Sequence, residues 1–407
     1  MMHLTDEHPS NSKILFLLCF LSFFASVIQN IYTPIIPKLQ SVFEVPLFWI
    51  NITVGGFIFI VAIMQIILGK FIDSQNQKRM LIISLLIILI SNIICSFTTN
   101  FIVFSIFRLI QAVGCGMLPL ISVTLIAKLT EQNTLSNSMA NYQIFLSCAP
   151  AIAPLAGGFI GDKYGYSGIF SLLSIISLIL FVIIFILKLP SINKENSNET
   201  SKVYYAQFFK NKKFCLIIIF GFFVFFAYFS ILVYLPVLLS GTYNISTSII
   251  GLLFLPMTVS MILGSLFYKK IANRIIYSKI LNLLLIAFPI TLLLFGLLQF
   301  LNLFVVAILT FSLGFLVGIA PALMSTIISN LFTELKGAAL GLFNFIRYTG
   351  MALGSISIGL FSIPLTTIYF VILAAIFILI SVFNFYIINK ELKIAYSTKN
   401  QTNSNHN

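Results

Sequence analysis

The chain has 407 residues, of which 59% are hydrophobic and only 8% are charged, and its formal net charge is +13. Soluble proteins carry about 25% charged residues, so this composition excludes a water-soluble fold and indicates an integral membrane protein. A basic excess favours nucleic-acid binding in a soluble protein. Here the basic residues lie mostly in short segments between apolar runs, which indicates membrane topology instead.

Twelve apolar segments are long enough to cross a bilayer as helices. About 20 apolar residues span the hydrocarbon core, and a lipid-facing backbone must form its own hydrogen bonds. The predicted spans cover residues 14–36, 48–70, 80–98, 101–127, 137–160, 166–188, 214–239, 247–268, 279–298, 302–330, 337–362 and 366–389. The predicted fold class is therefore an all-α integral membrane protein.

Basic residues set the predicted orientation of these spans. With the N-terminus in the cytoplasm, nearly all lysines and arginines outside the spans lie on the cytoplasmic side, and only Lys38 and Lys163 lie outside. This asymmetry predicts that both termini are cytoplasmic. We expect a multi-pass protein of the bacterial inner membrane.

The chain divides into two halves of six predicted spans. The expected order is a cytoplasmic N-terminus (1–13), an N-terminal bundle (14–188), a polar cytoplasmic linker (189–213), a C-terminal bundle (214–389) and a cytoplasmic tail (390–407). The halves also resemble each other, because GMLPLISVTLIAKLTE (116–131) parallels GIAPALMSTIISNLFTE (318–334). A six-plus-six duplication is a transporter architecture, with the binding site between the halves near the midplane.

Two segments of the first half carry motifs of a known family. The loop GKFIDSQNQKRM (69–80) resembles the signature loop of the major facilitator superfamily, in which Gly69 allows close helix packing and Asp73 pairs with Lys78 and Arg79. The segment FRLIQAVGCG (107–116) resembles the arginine–glutamine–glycine motif of the drug:proton antiporters in that superfamily. In it Arg108 and Gln111 share one helix face.

Further segments resemble the same twelve-span drug:proton antiporter branch. SCAPAIAPLAGGFIGDKYG (147–165) resembles its proline–glycine motif through Pro154, Gly157 and Gly158, which we assign to gating. QNIYTPIIPKL (29–39) resembles its acidic–x–tyrosine–x–proline segment, with Asn30 in the acidic position and Tyr32 at the tyrosine. The resemblance implies two six-helix bundles related by a pseudo-twofold axis, and efflux driven by a proton gradient, as in multidrug resistance transporters.

The charges inside the spans point to the substrate. No acidic residue lies deep in a predicted span, whereas Arg108 and Arg347 do. Arg347 lies about ten residues into its span, about 15 Å from the end, and so close to the midplane. The cavity is therefore expected to be positive, and an arginine holds a carboxylate through two parallel hydrogen bonds.

We predict that the two arginines form opposite walls of an organic-anion site, and a citrate-type polycarboxylate siderophore would suit it. The predicted substrate-binding residues are Arg108, Arg347, Asn344, Asn30, Tyr32, Gln111, Asn141, Tyr142 and Tyr348. Asn344 and Tyr348 share the Arg347 face of the helix, and the repeat pairs Asn344 with Asn141. Two alternatives stay open. Backbone carbonyls and the hydroxyls and amides of Tyr or Asn residues could satisfy Arg347 in a purely structural role that joins helices, and the same site could serve uptake.

Other functional classes lack their motifs. The sequence contains no HExxH, GxSxG or Walker motif, and its three histidines are terminal, so we expect neither an enzyme nor a metal site. No cofactor is expected, and transport is expected to use a proton gradient. The proton could travel on the substrate, on Asp73 or on Asp162, or transport could proceed without proton coupling. The expected partners are a small-molecule substrate and the lipid bilayer, without nucleic acid, and the protein is expected to be a monomer.

Overall fold

The computed structural model describes residues 9–69, 76–130, 132–187, 205–271, 277–332 and 336–404, and this part of the chain is almost entirely helical. The helices are α1 (Pro9–Asn30), α2 (Ile36–Phe43), α3 (Leu47–Gly69), α4 (Gln77–Phe97), α5 (Phe101–Leu129), α6 (Gln132–Ile186), α7 (Lys212–Gly241), α8 (Thr247–Leu253), α9 (Leu255–Ile271), α10 (Tyr277–Leu298), α11 (Leu303–Leu331), α12 (Lys336–Ser357) and α13 (Thr366–Ser404). Short 3₁₀ helices cover Thr33–Ile35, Tyr205–Lys210, Ile358–Leu360 and Ile363–Leu365.

These helices make twelve passes through the membrane. Ten helical stretches of the described residues are long and apolar enough to cross it. One of them, Ile144–Ile186, has 43 residues, about 65 Å and roughly twice the hydrocarbon thickness, so it makes two passes. The chain turns back at Gly165, whose φ of 66° is a left-handed conformation that favours glycine. The more polar α12 is the twelfth pass, which confirms the prediction.

Prolines break two of the passes locally. The first pass runs from α1 through the turn Thr33–Ile35 into α2, and Pro34 and Pro37 lie at the starts of the two short elements. The eighth pass is divided into α8 and α9 next to Pro256. A proline has no N–H to donate, so a helix that meets one loses a backbone hydrogen bond.

The duplication is visible in the helices themselves. Both α5 and α11 have 29 residues and contain a proline, Pro119 and Pro321 respectively. Each begins after an asparagine cap, because Asn100 accepts from the N–H of Val103 and Asn302 accepts from that of Val305. The first half comprises α1–α6 and the second half comprises α7–α13.

The two halves contact each other at one end of the bundle. We call the end that carries Lys38 and Asp162 the outer end, as the charge distribution predicts, and the end that carries Lys78 and Lys279 the inner end. At the outer end α3 packs against α12 and α6 packs against α8. Nearer the inner end Asn141 on α6 is exposed, and a Cβ on Gly341 of α12 would meet no described atom within 4 Å. The structure is therefore closed at the outer end, and Asn141 and Gly341 are open nearer the inner end.

Candidate functional site

Arg347 lies in the middle of α12 and beside α7. Its guanidinium carbon is 4.9 Å from the centroid of the Phe225 ring and 5.4 Å from that of Tyr348. Its side chain forms a hydrogen bond with Tyr348, and its buried Nε atom has no hydrogen-bond partner in the part of the chain that the structure describes. Within the described residues Arg347 also forms no salt bridge. A permanently charged guanidinium is thus placed near the midplane without a carboxylate to neutralise it.

Close packing of α12 on α7 fixes the position of Arg347. A Cβ on Gly350 would clash with the backbone of Phe222, and a Cβ on Gly354 would clash with that of Phe226. The two glycines are four residues apart, so they lie on one face of α12 and let the helix axes approach. Arg347 precedes Gly350 by three residues and is held against α7 by this contact.

Tyr142 on α6 brings the first half to the same region. Its hydroxyl donates to the carbonyl of Pro119 over 3.1 Å. It also interacts with Ser22 on α1 and, across the two halves, electrostatically with Tyr348. The structure therefore brings Tyr142 and Tyr348 near each other.

The remaining polar groups of this region are only partly enclosed or lack a partner. Asn344 is half-buried and Asn141 is exposed. The hydroxyl of Tyr228, one helical turn from Phe225 on α7, is buried and has no hydrogen-bond partner. The region thus combines one guanidinium, amides, phenol hydroxyls and aromatic faces, which is the composition of a site for a small organic ligand.

Arg108 is enclosed inside the first half. Its guanidinium carbon lies 4.2 Å from the ring centroids of both Tyr32 and Phe57, and the side chain is fully buried. It donates to the carbonyl of Ile28 over 3.0 Å and to the amide oxygen of Gln111. Desolvated cation–π contacts are worth about 2 kcal/mol or more each, so the bundle itself holds this charge.

The contacts of Arg108 differ from the predicted geometry of two arginines on facing walls. All of its described neighbours belong to the first half, and in this conformation it does not face Arg347. The carbonyl of Ile28 is available because α1 ends at Asn30. A role for Arg108 in substrate binding stays a prediction.

Three further predicted ligands of the first half, Gln111, Asn30 and Tyr32, also bind partners within that half. Gln111 donates to the side-chain oxygen of Asn92 on α4. The amide of Asn30 donates to the carbonyl of Ser26 over 2.8 Å, and the hydroxyl of Tyr32 lies 3.4 Å from that of Thr53. Asn92 was not among the predicted site residues. An isolated amide in an apolar helix is the sequence signal that could have identified it.

The predicted gating loop is described only in part. Asp73 lies outside the described residues, and Gly69 is the last residue of α3. Lys78 donates from Nζ to the carbonyl of Phe185 over 3.0 Å, which ties the start of α4 to the end of α6. The N–H of Arg79 donates to Asn76, the cap of α4. The expected pairing of Asp73 with this basic pair stays a prediction.

Pro154, Gly157 and Gly158 lie on α6 at the outer end and are all buried. A Cβ on Gly157 would overlap the backbone of Ile31, which belongs to the first half. A Cβ on Gly158 would lie 2.9 Å from the Cα of Gly251, which belongs to the second half. Small residues are therefore required here because two backbones approach closely.

One polar contact at the outer end did not follow from the sequence. Lys38 donates from Nζ to the carboxylate of Asp162 over 3.1 Å, and Ser248 donates to the other carboxylate oxygen over 2.8 Å. These hydrogen bonds, that of Ser248 first, hold the pKa of the Asp162 carboxyl below its ordinary value. Ser248 belongs to α8, so the carboxylate joins the two halves.

Comparison with known proteins gives a consistent family. The profile of the Major Facilitator Superfamily matches residues 18–355. Multidrug resistance protein D of Escherichia coli (strain K12) is 22% identical over 169 residues, which are 41% of this chain and 42% of that protein. A multidrug resistance protein B homolog of Mycobacterium tuberculosis (strain CDC 1551 / Oshkosh) is 27% identical over 118 residues, 29% of this chain and 22% of that protein. The matched segments thus make up less than half the length of these relatives.

The solved structures show the same fold. The D-xylose-proton symporter superimposes with a TM-score of 0.72 at 14% identity, covering 91% of this chain and 96% of that one. At this identity the similarity describes the arrangement of helices and carries no information about the substrate.

Proposed function

Because the chain belongs to the Major Facilitator Superfamily, a family of membrane transporters rather than enzymes, we propose that it exports a small organic anion by alternating access. Two relatives are named as multidrug resistance proteins, which supports export. The Pro154–Gly157–Gly158 segment supports the same direction through its resemblance to the antiporter motif. Alternating access is then a rocking of one half against the other around a site near the midplane.

The observation that carries the anion proposal is the uncompensated charge of Arg347. A buried ionised group is costly unless it is paired, and among the described residues this guanidinium has the Tyr348 hydroxyl and the Phe225 ring beside it but no carboxylate, and its buried Nε has no partner. A carboxylate or phosphate accepts two parallel hydrogen bonds from one guanidinium, so a bound anion would supply both the charge and the acceptors.

The surroundings of Arg347 suit an anion with an apolar body. The rings of Phe225 and Tyr348 lie beside the guanidinium. Tyr228 of the second half offers a hydroxyl without a described partner, and the Tyr142 hydroxyl of the first half, which donates to Pro119, can accept a hydrogen bond from a ligand. A polycarboxylate of the citrate-siderophore type fits this set, with one carboxylate on Arg347 and hydroxyl or amide contacts to its remaining oxygens.

We further propose that a proton gradient drives export. Asp162 is a poor proton carrier in the closed state, because Ser248 and Lys38 lower the pKa of its carboxyl and keep it ionised at neutral pH. The proton then travels on the substrate anion or on Asp73. Collapse of export by an uncoupler is the expected sign of this coupling.

The test begins with metabolite profiling of cells with and without the protein, inside and outside. An anion that the protein depletes from cells is then labelled and offered to inverted and right-side-out vesicles. We expect uptake into inverted vesicles. Accumulation in right-side-out vesicles instead would refute export and indicate uptake through the same site.

Variants of α12 connect the transport to Arg347. Arg347→Gln removes the charge and is expected to lower anion transport at least tenfold, whereas Arg347→Lys keeps the charge but loses the two-pronged contact and retains part of the activity. Thr349→Val is the matched control, since the Thr349 hydroxyl donates to the carbonyl of Phe345 in its own helix. Unchanged anion kinetics in Arg347→Gln would refute the anion site.

A further inference from the structure

The contact between the halves at the outer end contains two polar features. A hydrogen bond from Ser248 to Asp162 crosses it, and the buried amide of Asn51 has no described hydrogen-bond partner. We propose that these two features oppose each other, so that Asp162 holds the outer gate closed while Asn51 favours its opening. The inference requires only that the protein is a transporter of two moving halves, and it is independent of substrate and direction.

Asp162 acts as a latch through Ser248. Its carboxylate accepts hydrogen bonds from Lys38 of the first half and from Ser248 of the second half. Lys38 and Asp162 are both partly exposed and lie on the same half, so their ion pair adds little and survives opening. The Ser248 bond is different, because separation of α6 from α8 breaks it. A hydrogen bond to an ionised acceptor is roughly twice as strong as one between neutral groups.

Asn51 has the opposite effect. It lies on α3 and is fully buried, and neither its amide nitrogen nor its amide oxygen has a hydrogen-bond partner among the residues that the structure describes. Its amide nitrogen lies against Gly359, in the 3₁₀ turn Ile358–Leu360 that follows α12 in the second half. A buried unsatisfied amide destabilises the state that buries it. Opening of the outer gate withdraws this turn and exposes the amide to water.

The rest of the contact explains why such opposition is useful. Around these residues the two halves pack closely through small residues, as where Gly158 lies against Gly251. Close packing together with the charged hydrogen bond of Asp162 would favour only the closed state. A transporter must populate both states, and a hundredfold bias towards one state lowers the apparent affinity of a ligand for the other a hundredfold. The unpaired amide reduces that bias.

The experiment measures the outer gate directly. Spin labels are placed at Ser41→Cys on α2 and Thr242→Cys after α7, both exposed, in full-length protein whose five native cysteines are replaced. Double electron–electron resonance in lipid nanodiscs then gives the populations of short (closed) and long (open) distances. The measurement needs no substrate.

The two classes of variant should shift the populations in opposite directions. Asp162→Asn, of nearly equal size, is expected to raise the open-to-closed ratio by roughly three- to tenfold, and Ser248→Ala, which removes only the bond between halves, to raise it similarly. Asn51→Leu, of similar volume, is expected to lower the ratio by roughly three- to tenfold. The combination of Asp162→Asn with Asn51→Leu should return the ratio towards that of the parent protein.

Two control variants test the assignment. Lys163→Gln removes a neighbouring charge whose described contact is the ring of Tyr164, so the ratio should not change. Ser91→Ala removes a buried unpaired hydroxyl on α4, inside the first half, and should also leave it unchanged. The latch is refuted if Asp162→Asn and Ser248→Ala both leave the ratio of the parent protein. The opposing role of Asn51 is refuted if Asn51→Leu leaves the ratio unchanged or raises it.

Discussion

Gly157 and Gly341 offer the same substitution in opposite surroundings. Gly157 lies on α6 beside the end of α1, and a Cβ there would overlap the carbonyl group of Ile31. Gly341 lies towards the inner end of α12, and a Cβ there would meet none of the described atoms within 4 Å. Both residues are helical, so Gly157→Ala and Gly341→Ala change helix propensity equally and differ only in the space available.

The expected difference between the two variants is about 3 kcal/mol. Alanine stabilises a helix by about 1 kcal/mol relative to glycine, and this term alone acts at Gly341. At Gly157 the obstructing atoms belong to the backbone and not to a flexible side chain, so α1 must move away from α6. Overpacking costs about 1–3 kcal/mol, and a backbone collision belongs at the upper end. Gly157→Ala should therefore lose about 2 kcal/mol and Gly341→Ala should gain about 1 kcal/mol.

Denaturant-induced unfolding in mixed micelles, followed by far-ultraviolet circular dichroism, measures both values against the parent protein. The order expected is Gly341→Ala, parent, Gly157→Ala from most to least stable. A Gly157→Ala variant as stable as the parent would refute the close approach of α1 to α6. Equal losses at both sites would show that glycine is needed for some reason other than space.

Three further predictions concern charge and hydrogen bonding. The closed state lowers the pKa of the Asp162 carboxyl below 3.8, so the ionised carboxylate stabilises closure above that pH. The closed fraction should therefore be constant from about pH 8 to 5 and fall below about pH 4, where Lys38 and Lys163 stay charged. Asp162→Asn should abolish this fall. Arg108→Lys keeps the charge but loses the planar stack between Tyr32 and Phe57, so the unfolding free energy should fall by about 2 kcal/mol. Tyr142→Phe loses the bond to Pro119, worth about 1 kcal/mol, and should raise the KM of the transported anion several-fold without unfolding the protein.

Much of the fold was predictable because hydrophobic length determines it. The predicted boundary between residues 160 and 166 contains the turn at Gly165, and the ten apolar stretches, with that turn and α12, confirm twelve passes. The ends of the chain differ from the prediction. The first helix begins at Pro9, and α13 continues to Ser404 beyond the predicted span 366–389. Hydropathy marks only the apolar part of a helix, so it does not detect how far a helix continues into a polar segment.

The surroundings of the polar residues were less predictable, because they depend on other helices. The spacing of Arg108 and Gln111 correctly places them on one face, and the structure joins them by a hydrogen bond. It does not reveal that Tyr32 and Phe57 cover the guanidinium, since these rings come from other helices. The contact of Asp162 with Ser248 spans 86 residues and has no local pattern at all.

The two intramembrane arginines have opposite environments, although the sequence presents them alike. The charge of Arg108 lies between two aromatic rings and reaches the carbonyl of Ile28 and the amide of Gln111. That of Arg347 lies beside Phe225 and is hydrogen-bonded only to the adjacent Tyr348 among the described residues, while the Nε of both arginines has no described partner. Arg347 has fewer described partners than Arg108 and no carboxylate beside it, so its guanidinium attracts anions near the midplane. We therefore infer an asymmetric site, in which the second half supplies the charge and the first half contributes Tyr142, even though the two halves arose as a repeat.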